Sequence, residues 1–291
     1  MLDQAEQLRK LAEVDKRSKV GSEFNAKPRI MAIASGKGGV GKSNFVVNVS
    51  IALQKMGKKV LIFDGDMGMG NDDVLMGFLP KYNVYDVILG NKTIEDVIIR
   101  GPFGVKLLPG GTGILKIEGI TKTQRDDFIK KLSSLNDVDY IVLDTGAGIN
   151  RDVLGFITCC QEFIIITTPE PTSLTDAYSL VKAVNHFKLK DRAKVIVNRT
   201  TDVKEGEKTF TKFNSVVNKF LSIKLEYVGC ISDDKNLIQA VRNQIPLLIN
   251  YPNSEASKDI NFIANKLAGV KNPEIKASIQ SLFNKIFDIF S

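Results

Sequence analysis

The chain has 291 residues, 43% of them hydrophobic and 25% charged, which is enough apolar material to bury a sizeable core. Its formal net charge of +7 suits an anionic lipid surface, a nucleic acid or a nucleotide, without choosing among them. Three cysteines, Cys159, Cys160 and Cys230, form no CxxC pair and no even set, which excludes a disulfide-stapled scaffold and predicts reduced core thiols.

The N-terminal residues MLDQAEQLRK are charged and lack the apolar stretch of a signal peptide. Residues 1–16 read as a short helix, in which Asp3 caps and Glu6 completes a capping-box pattern. Its apolar stripe of Ala5, Leu8, Leu11 and Ala12 is thin, so the segment is expected to order on a partner. Residues 17–28 have the polar, Gly- and Pro-punctuated composition of a linker. From residue 29 to 270, short apolar runs alternate with helical patterns. RIMAIAS, KKVLIFD, VKLLPG, DYIVLD, FIIITT, AKVIVN and LEYVGCI read as strands. Helices are predicted over 42–56, 125–135, 174–187, 207–221 and 254–267. Strands that are apolar throughout and separated by helices predict an α/β fold, a mainly parallel sheet with helices on both faces. None of these runs is long enough to span a bilayer, so a cytoplasmic protein is expected.

Gly36 to Ser43, GKGGVGKS, fits G-x-x-x-x-G-K-[ST] between a predicted strand and a predicted helix, the context that a phosphate-binding loop requires. Glycines 38, 39 and 41 let backbone N–H groups converge on phosphate oxygens, and the helix N-terminus adds partial positive charge. Lys42 is placed for the β- and γ-phosphates and the Ser43 hydroxyl for Mg²⁺. At the exit of the second strand, FDGDMGMGND carries Asp64 and Asp66 at i and i+2, pointing the same way. YIVLDTGAGI ends a buried strand in Asp144, and VIVNR places Asn198 at a strand end, where an amide offers both a donor and an acceptor.

Together, KGGVGKS with its additional Lys37, D-x-D-x-G-x-x-N from Asp64, D-x-x-x-G from Asp144 to Gly148, and VIVNR resemble the MinD/ParA/nitrogenase-iron-protein class of deviant Walker A ATPases. The resemblance covers about residues 29–267 and implies a three-layer P-loop NTPase fold with ATP and Mg²⁺ as ligands. It further implies that Gly38, Gly39, Val40, Gly41, Lys42, Ser43 and Asn44 cradle the nucleotide, with Asn198 and Arg199 at the adenine. Ser43, Asp66 and Asp144 are then placed for the metal, Asp66 also positions the attacking water, and Asp64 and Gly148 belong to the two switches. Lys37 is implied to reach across an ATP-dependent homodimer to the other subunit's nucleotide, making Lys37, Lys42 and Asp66 the catalytic set. Two positions depart from the family pattern: Gly146 and Ser232 stand where relatives often carry proline.

Residues 271–291 form a further expected unit. Ile279, Leu282, Phe283, Ile286, Phe287 and Phe290 recur at steps of three and four, one apolar helical face. Such a helix either docks on its own domain or anchors at an anionic membrane surface. Aromatics at the extreme end, beyond Gly269 and Pro273, favour the anchor, peripheral on the inner face of the cell membrane in the ATP state. At the other end, DQAEQLR resembles the D-Q-A-x-x-L-R motif of MinD-like flagellar number regulators of the FlhG or YlxH type. That resemblance implies binding and stimulation of the signal-recognition-type GTPase FlhF through Gln4, Leu8 and Arg9, and flagellar basal-body or C-ring partners. The alternatives are a cell-division regulator, whose family starts near the first strand, and a DNA-partitioning ATPase, for which no Lys/Arg stripe is present.

Overall fold

The computed structural model describes residues 28–66, 72–111, 120–135, 137–269 and 278–290. The expected helix 1–16 with Gln4, Leu8 and Arg9, the linker up to residue 27, and Gly68 and Gly70 lie outside them.

Every residue of the first strand, β1 (Arg29–Ser35), is buried. Strand alternation explains how one apolar run supplies two cores. Ile30 and Ala32 enter one core with Leu61, Phe63, Ile141 and Leu143. Met31 and Ile33 enter the other with Val60, Ile62, Tyr140 and Val142. Those partners lie on β2 (Val60–Gly65) and β5 (Tyr140–Ala147). With β3 (Ile99–Arg100), β4 (Lys106–Pro109), β6 (Glu162–Thr167), β7 (Arg192–Thr200) and β8 (Lys224–Ser232), they make a sheet ordered β3-β4-β2-β5-β1-β6-β7-β8. All described pairings are parallel except that of β3 with β4, a two-residue edge pairing too short to register as a sequence pattern.

On the Met31 side lie α1 (Lys42–Lys55) and, late in the chain, α9 (Lys235–Arg242), α10 (Leu247–Asn250) and α11 (Glu255–Gly269). Short helices α2 (Asp72–Leu75), α3 (Val84–Ile88) and α4 (Ile94–Val97) fill the β2–β3 connection. On the Ile30 side lie α5 (Lys122–Lys131), α6 (Arg151–Cys159), α7 (Pro171–His186) and α8 (Val203–Phe220). Helix α5 starts three residues before its predicted position. Thr121 and Gln124 form a capping box there, each side chain accepting the other's backbone N–H at 3.3 and 3.0 Å. Helix α6 was not predicted, since VLGFIT reads equally as a strand. Its cap decides: Asn150 Oδ1 accepts the Val153 N–H at 2.8 Å.

The last helix, α12 (Ile279–Phe290), differs most from the sequence expectation. The expected separate, membrane-facing unit packs into the Ile30-side core in this conformation. Ile279, Leu282, Phe283, Ile286, Phe287 and Ile289 are all buried there; the Phe290 side chain is outside the described set. The Phe283 ring meets Phe63 at 5.2 Å and Phe128 at 5.1 Å edge-on. Arg125 pairs with Asp288, donates to the Asn284 carbonyl at 3.1 Å and lies over the Phe287 ring. Arg151 donates to the Ile289 carbonyl. The physical reason is that α5, α6 and β2 leave Phe128, Phe156 and Phe63 facing outward, and the apolar stripe of α12 covers them.

Candidate nucleotide site

The loop between β1 and α1 is held by its neighbours. A Cβ on Gly36 would stand 2.1 Å from the Asp176 backbone of α7, so only glycine lets that helix pass. Gly41 has φ +89°, and a Cβ there would sit 2.3 Å from the Asn198 amide nitrogen. The Asn198 amide donates to the Val40 carbonyl at 2.7 Å, and Arg199 donates to the Gly39 carbonyl at 2.8 Å. Pinning two loop carbonyls fixes the peptide planes that aim N–H groups at an anion.

Asn198 and Arg199 therefore act on the loop in this structure, whereas the sequence reading places them at the adenine. Asn198 Oδ1 is also engaged, accepting the Arg199 N–H at 2.9 Å. Ser232 is similarly committed: its N–H and hydroxyl donate to Asp259 of α11 at 2.8 and 2.7 Å.

Lys42 is buried (8% exposed) and its ammonium meets the 1%-exposed Asp144 at 2.5 Å. Asp144 and Asp64 are register partners on adjacent strands, so their side chains stand together on one face. Burial first and the Asp144 carboxylate next raise the Asp64 pKa to about 7. Asp64 Oδ1 accepts the Asp66 N–H at 3.1 Å, which fixes the chain as it leaves β2. Gly148, at φ +89°, donates to the Ser35 carbonyl at 2.9 Å and ties the end of β5 to the start of the loop after β1. Ser43 and Asn44, half-buried, follow Lys42 in the first turn of α1, and Gly38 is exposed on the loop.

Lys37 has a different setting. Its side chain is 40% exposed on the rim, and its ammonium meets Glu170 at 3.2 Å and Thr172 at 3.0 Å, at the start of α7. Sequence reading did not find these two partners, which are more than 130 residues away. It also missed Asp72, the last residue of FDGDMGMGND, to which it gave no role. Asp72 is fully buried, no donor reaches its carboxylate oxygens, and it lies within hydrogen-bond reach of the Asp144 carboxylate. Burial, then the Asp144 and Asp64 carboxylates, push its pKa well above the carboxylate range, with Lys42 as the opposing charge. Two adjacent acids in NDD look like ordinary first-turn residues of a short helix, so only packing singles one out.

Three buried carboxylates around one ammonium fit a hard divalent cation, which prefers oxygen ligands. Among the described residues, no three His, Cys, Asp or Glu side chains are grouped to hold a metal ion alone. A cation held here would need further oxygen ligands, such as the phosphate oxygens of Mg²⁺–nucleotide sites. The structure thus brings together the loop, Asp64, Asp66, Asp144, Gly148 and Asn198, while α12 lies in a different part of the fold.

An AAA domain is matched over residues 28–197. The chain is 37% identical over 240 residues to antiactivator FleN of Pseudomonas aeruginosa, covering 82% of this chain and 86% of FleN. It is 36% identical over 241 residues to the flagellum site-determining protein YlxH of Helicobacter pylori, covering 82% and 81%. The structure of the septum site-determining protein MinD complexed with Mg-ADP from Pyrococcus horikoshii superposes with a TM-score of 0.65 at 28% identity, covering 87% of this chain and all of that one. The sheet, the phosphate loop and these likenesses lead to one conclusion: the chain belongs to the MinD/ParA family of P-loop ATPases, with FleN and YlxH among its relatives.

Proposed function

We propose that the protein is a Mg²⁺- and ATP-dependent switch that dimerises around its nucleotide and helps to set flagellar number or placement. The contrast between the two loop lysines carries this reading. Lys42 is buried beside Asp144, where it serves phosphates bound by its own loop. Lys37 stands on the rim, held by an exposed ion pair worth about 0–1 kcal/mol. It can leave Glu170 at little cost to reach a nucleotide on a second copy, in the manner of an arginine finger.

In this reading Ser43 and Asp144 hold the cation, whose charge offsets that of the β- and γ-phosphates when bound. Asp66 orients the attacking water, Asp64 steadies the Asp66 backbone, and Gly148 senses the terminal phosphate through its link to the loop. Asn198 and Arg199 shape the loop and come to the adenine edge once nucleotide enters. Lys37→Ala is expected to bind ATP as a monomer while losing ATP-dependent dimers and turnover. A variant that dimerises and hydrolyses ATP normally on gel filtration and phosphate-release assays sinks the trans role.

The flagellar assignment is supported by the names of FleN and YlxH at 36–37% identity. Residues 1–16, through Gln4, Leu8 and Arg9, bind FlhF and stimulate its GTPase, and basal-body or C-ring proteins are further partners. A peptide of residues 1–20 should accelerate GTP hydrolysis by FlhF. No stimulation by the peptide or by the full chain returns the reading to a general MinD-like switch. Membrane attachment needs α12 to leave the core first, since its apolar face is covered in the described conformation.

A further inference from the structure

Asp72 opens the four-residue helix α2, immediately after the first switch segment. It is 0% exposed, no donor reaches its carboxylate oxygens, and the Asp144 carboxylate lies within hydrogen-bond reach of them. A buried polar group in that condition costs free energy unless a partner satisfies it. The ionisable side chains that face it are Asp144, Asp64 and Lys42. Lys42 is already in contact with Asp144 at 2.5 Å. Asp64 spends one oxygen on the Asp66 N–H. Two carboxylates that close need a proton or a cation between them, so with both ionised the missing partner is a cation or its bound water.

We propose that Asp72 is a third carboxylate of the cation site: it accepts hydrogen bonds from water on the Mg²⁺ bound near Asp144, and so raises the affinity of the nucleotide complex for the cation. An outer position agrees with the finding that no three acidic side chains among the described residues close on a metal by themselves. Asp72 is thus a positioning residue, acting through water from the first position of α2. Carboxylates that hold metal-bound groups in this way typically change metal affinity by about 10- to 100-fold when removed. The inference rests on reading Asp144 as a cation carboxylate, and the test separates the two.

The test measures binding of a fluorescent ADP analogue to the full chain, in EDTA and across a Mg²⁺ titration. In Asp72→Asn, the Mg²⁺ concentration giving half of the affinity gain should rise about tenfold. Affinity in EDTA should stay the same or improve, because a negative charge near the phosphates is gone. Asp72→Leu replaces an unsatisfied acid by an apolar side chain of similar size and provides a second folded variant, checked by circular dichroism. It should show the same shift, together with a higher melting temperature without ligand. Asp144→Asn serves as the control. If Asp144→Asn shifts the midpoint while both Asp72 variants match the wild type, Asp72 is only a buried core acid and the inference is overturned. If Asp144→Asn leaves the midpoint in place too, the cation-site reading itself has failed.

Discussion

Two lysines five residues apart, Lys37 and Lys42, have opposite energetics. Lys42 and Asp144 are a buried pair, and removing the ammonium leaves Asp144, Asp64 and Asp72 without their counter-charge. Lys42→Ala should therefore lower unfolding free energy by about 3–5 kcal/mol in urea titrations without ligand. Glu170→Ala should change stability by less than about 1 kcal/mol, since its pair with Lys37 is exposed. It should nevertheless ease ATP-dependent dimerisation, read as a lower protein concentration at the monomer–dimer midpoint; an unchanged or higher midpoint counts against a restraining role for Glu170. The pH response follows from Asp64, whose pKa is raised to about 7. Between about pH 4 and 7 the folded chain keeps a proton that the unfolded chain has released, so stability falls as pH rises through that window and levels off above it. The loss is on the order of 4 kcal/mol, and Asp64→Asn should flatten the slope in ligand-free unfolding at pH 5 and pH 8.

At the level of elements, α12 is where covering and exposing an apolar face compete. Its stripe completes a ring cluster with Phe63 and Phe128, so Phe283→Ala should cost about 3–5 kcal/mol through the cavity it leaves. Arg125 clasps the same helix from outside through Asp288, the Asn284 carbonyl and the Phe287 ring. Arg125→Ala weakens docking without altering the apolar face. It should raise co-sedimentation with anionic liposomes in the presence of ADP above that of the wild type; equal sedimentation of the two counts against release of α12 as the membrane step. The amphipathic period of this helix was legible from sequence, as were the main strands and the long helices. Its docking was not, because a 3.6-residue period defines an apolar face and leaves open whether lipid or Phe128 covers it. Helix α6 escaped for a related reason: its start depends on the Asn150 cap, while its apolar residues suit either element.

Across the whole molecule, the functional groups converge because the central strands run parallel. The phosphate loop follows β1, Asp66 follows β2, Gly148 follows β5, and Glu170 follows β6; Asn198 lies near the end of β7. All lie at the carboxyl ends of neighbouring strands, the usual ligand position in an open α/β sheet. Mg-ADP at a hundred times its Kd should accordingly stabilise the fold by about 2.7 kcal/mol, and a thermal shift absent from Lys42→Ala would tie that gain to the loop. From sequence alone came the βα alternation, the phosphate loop, and Asp64, Asp66 and Asp144, because each is written in a local pattern of period or spacing. Tertiary structure alone decided that Lys37 rests on Glu170, that Asn198 braces Val40, that α12 faces inward and that Asp72 is sealed among carboxylates. Those facts depend on which distant segments close over a side chain, and burial by a remote neighbour leaves no mark in the local order of residues.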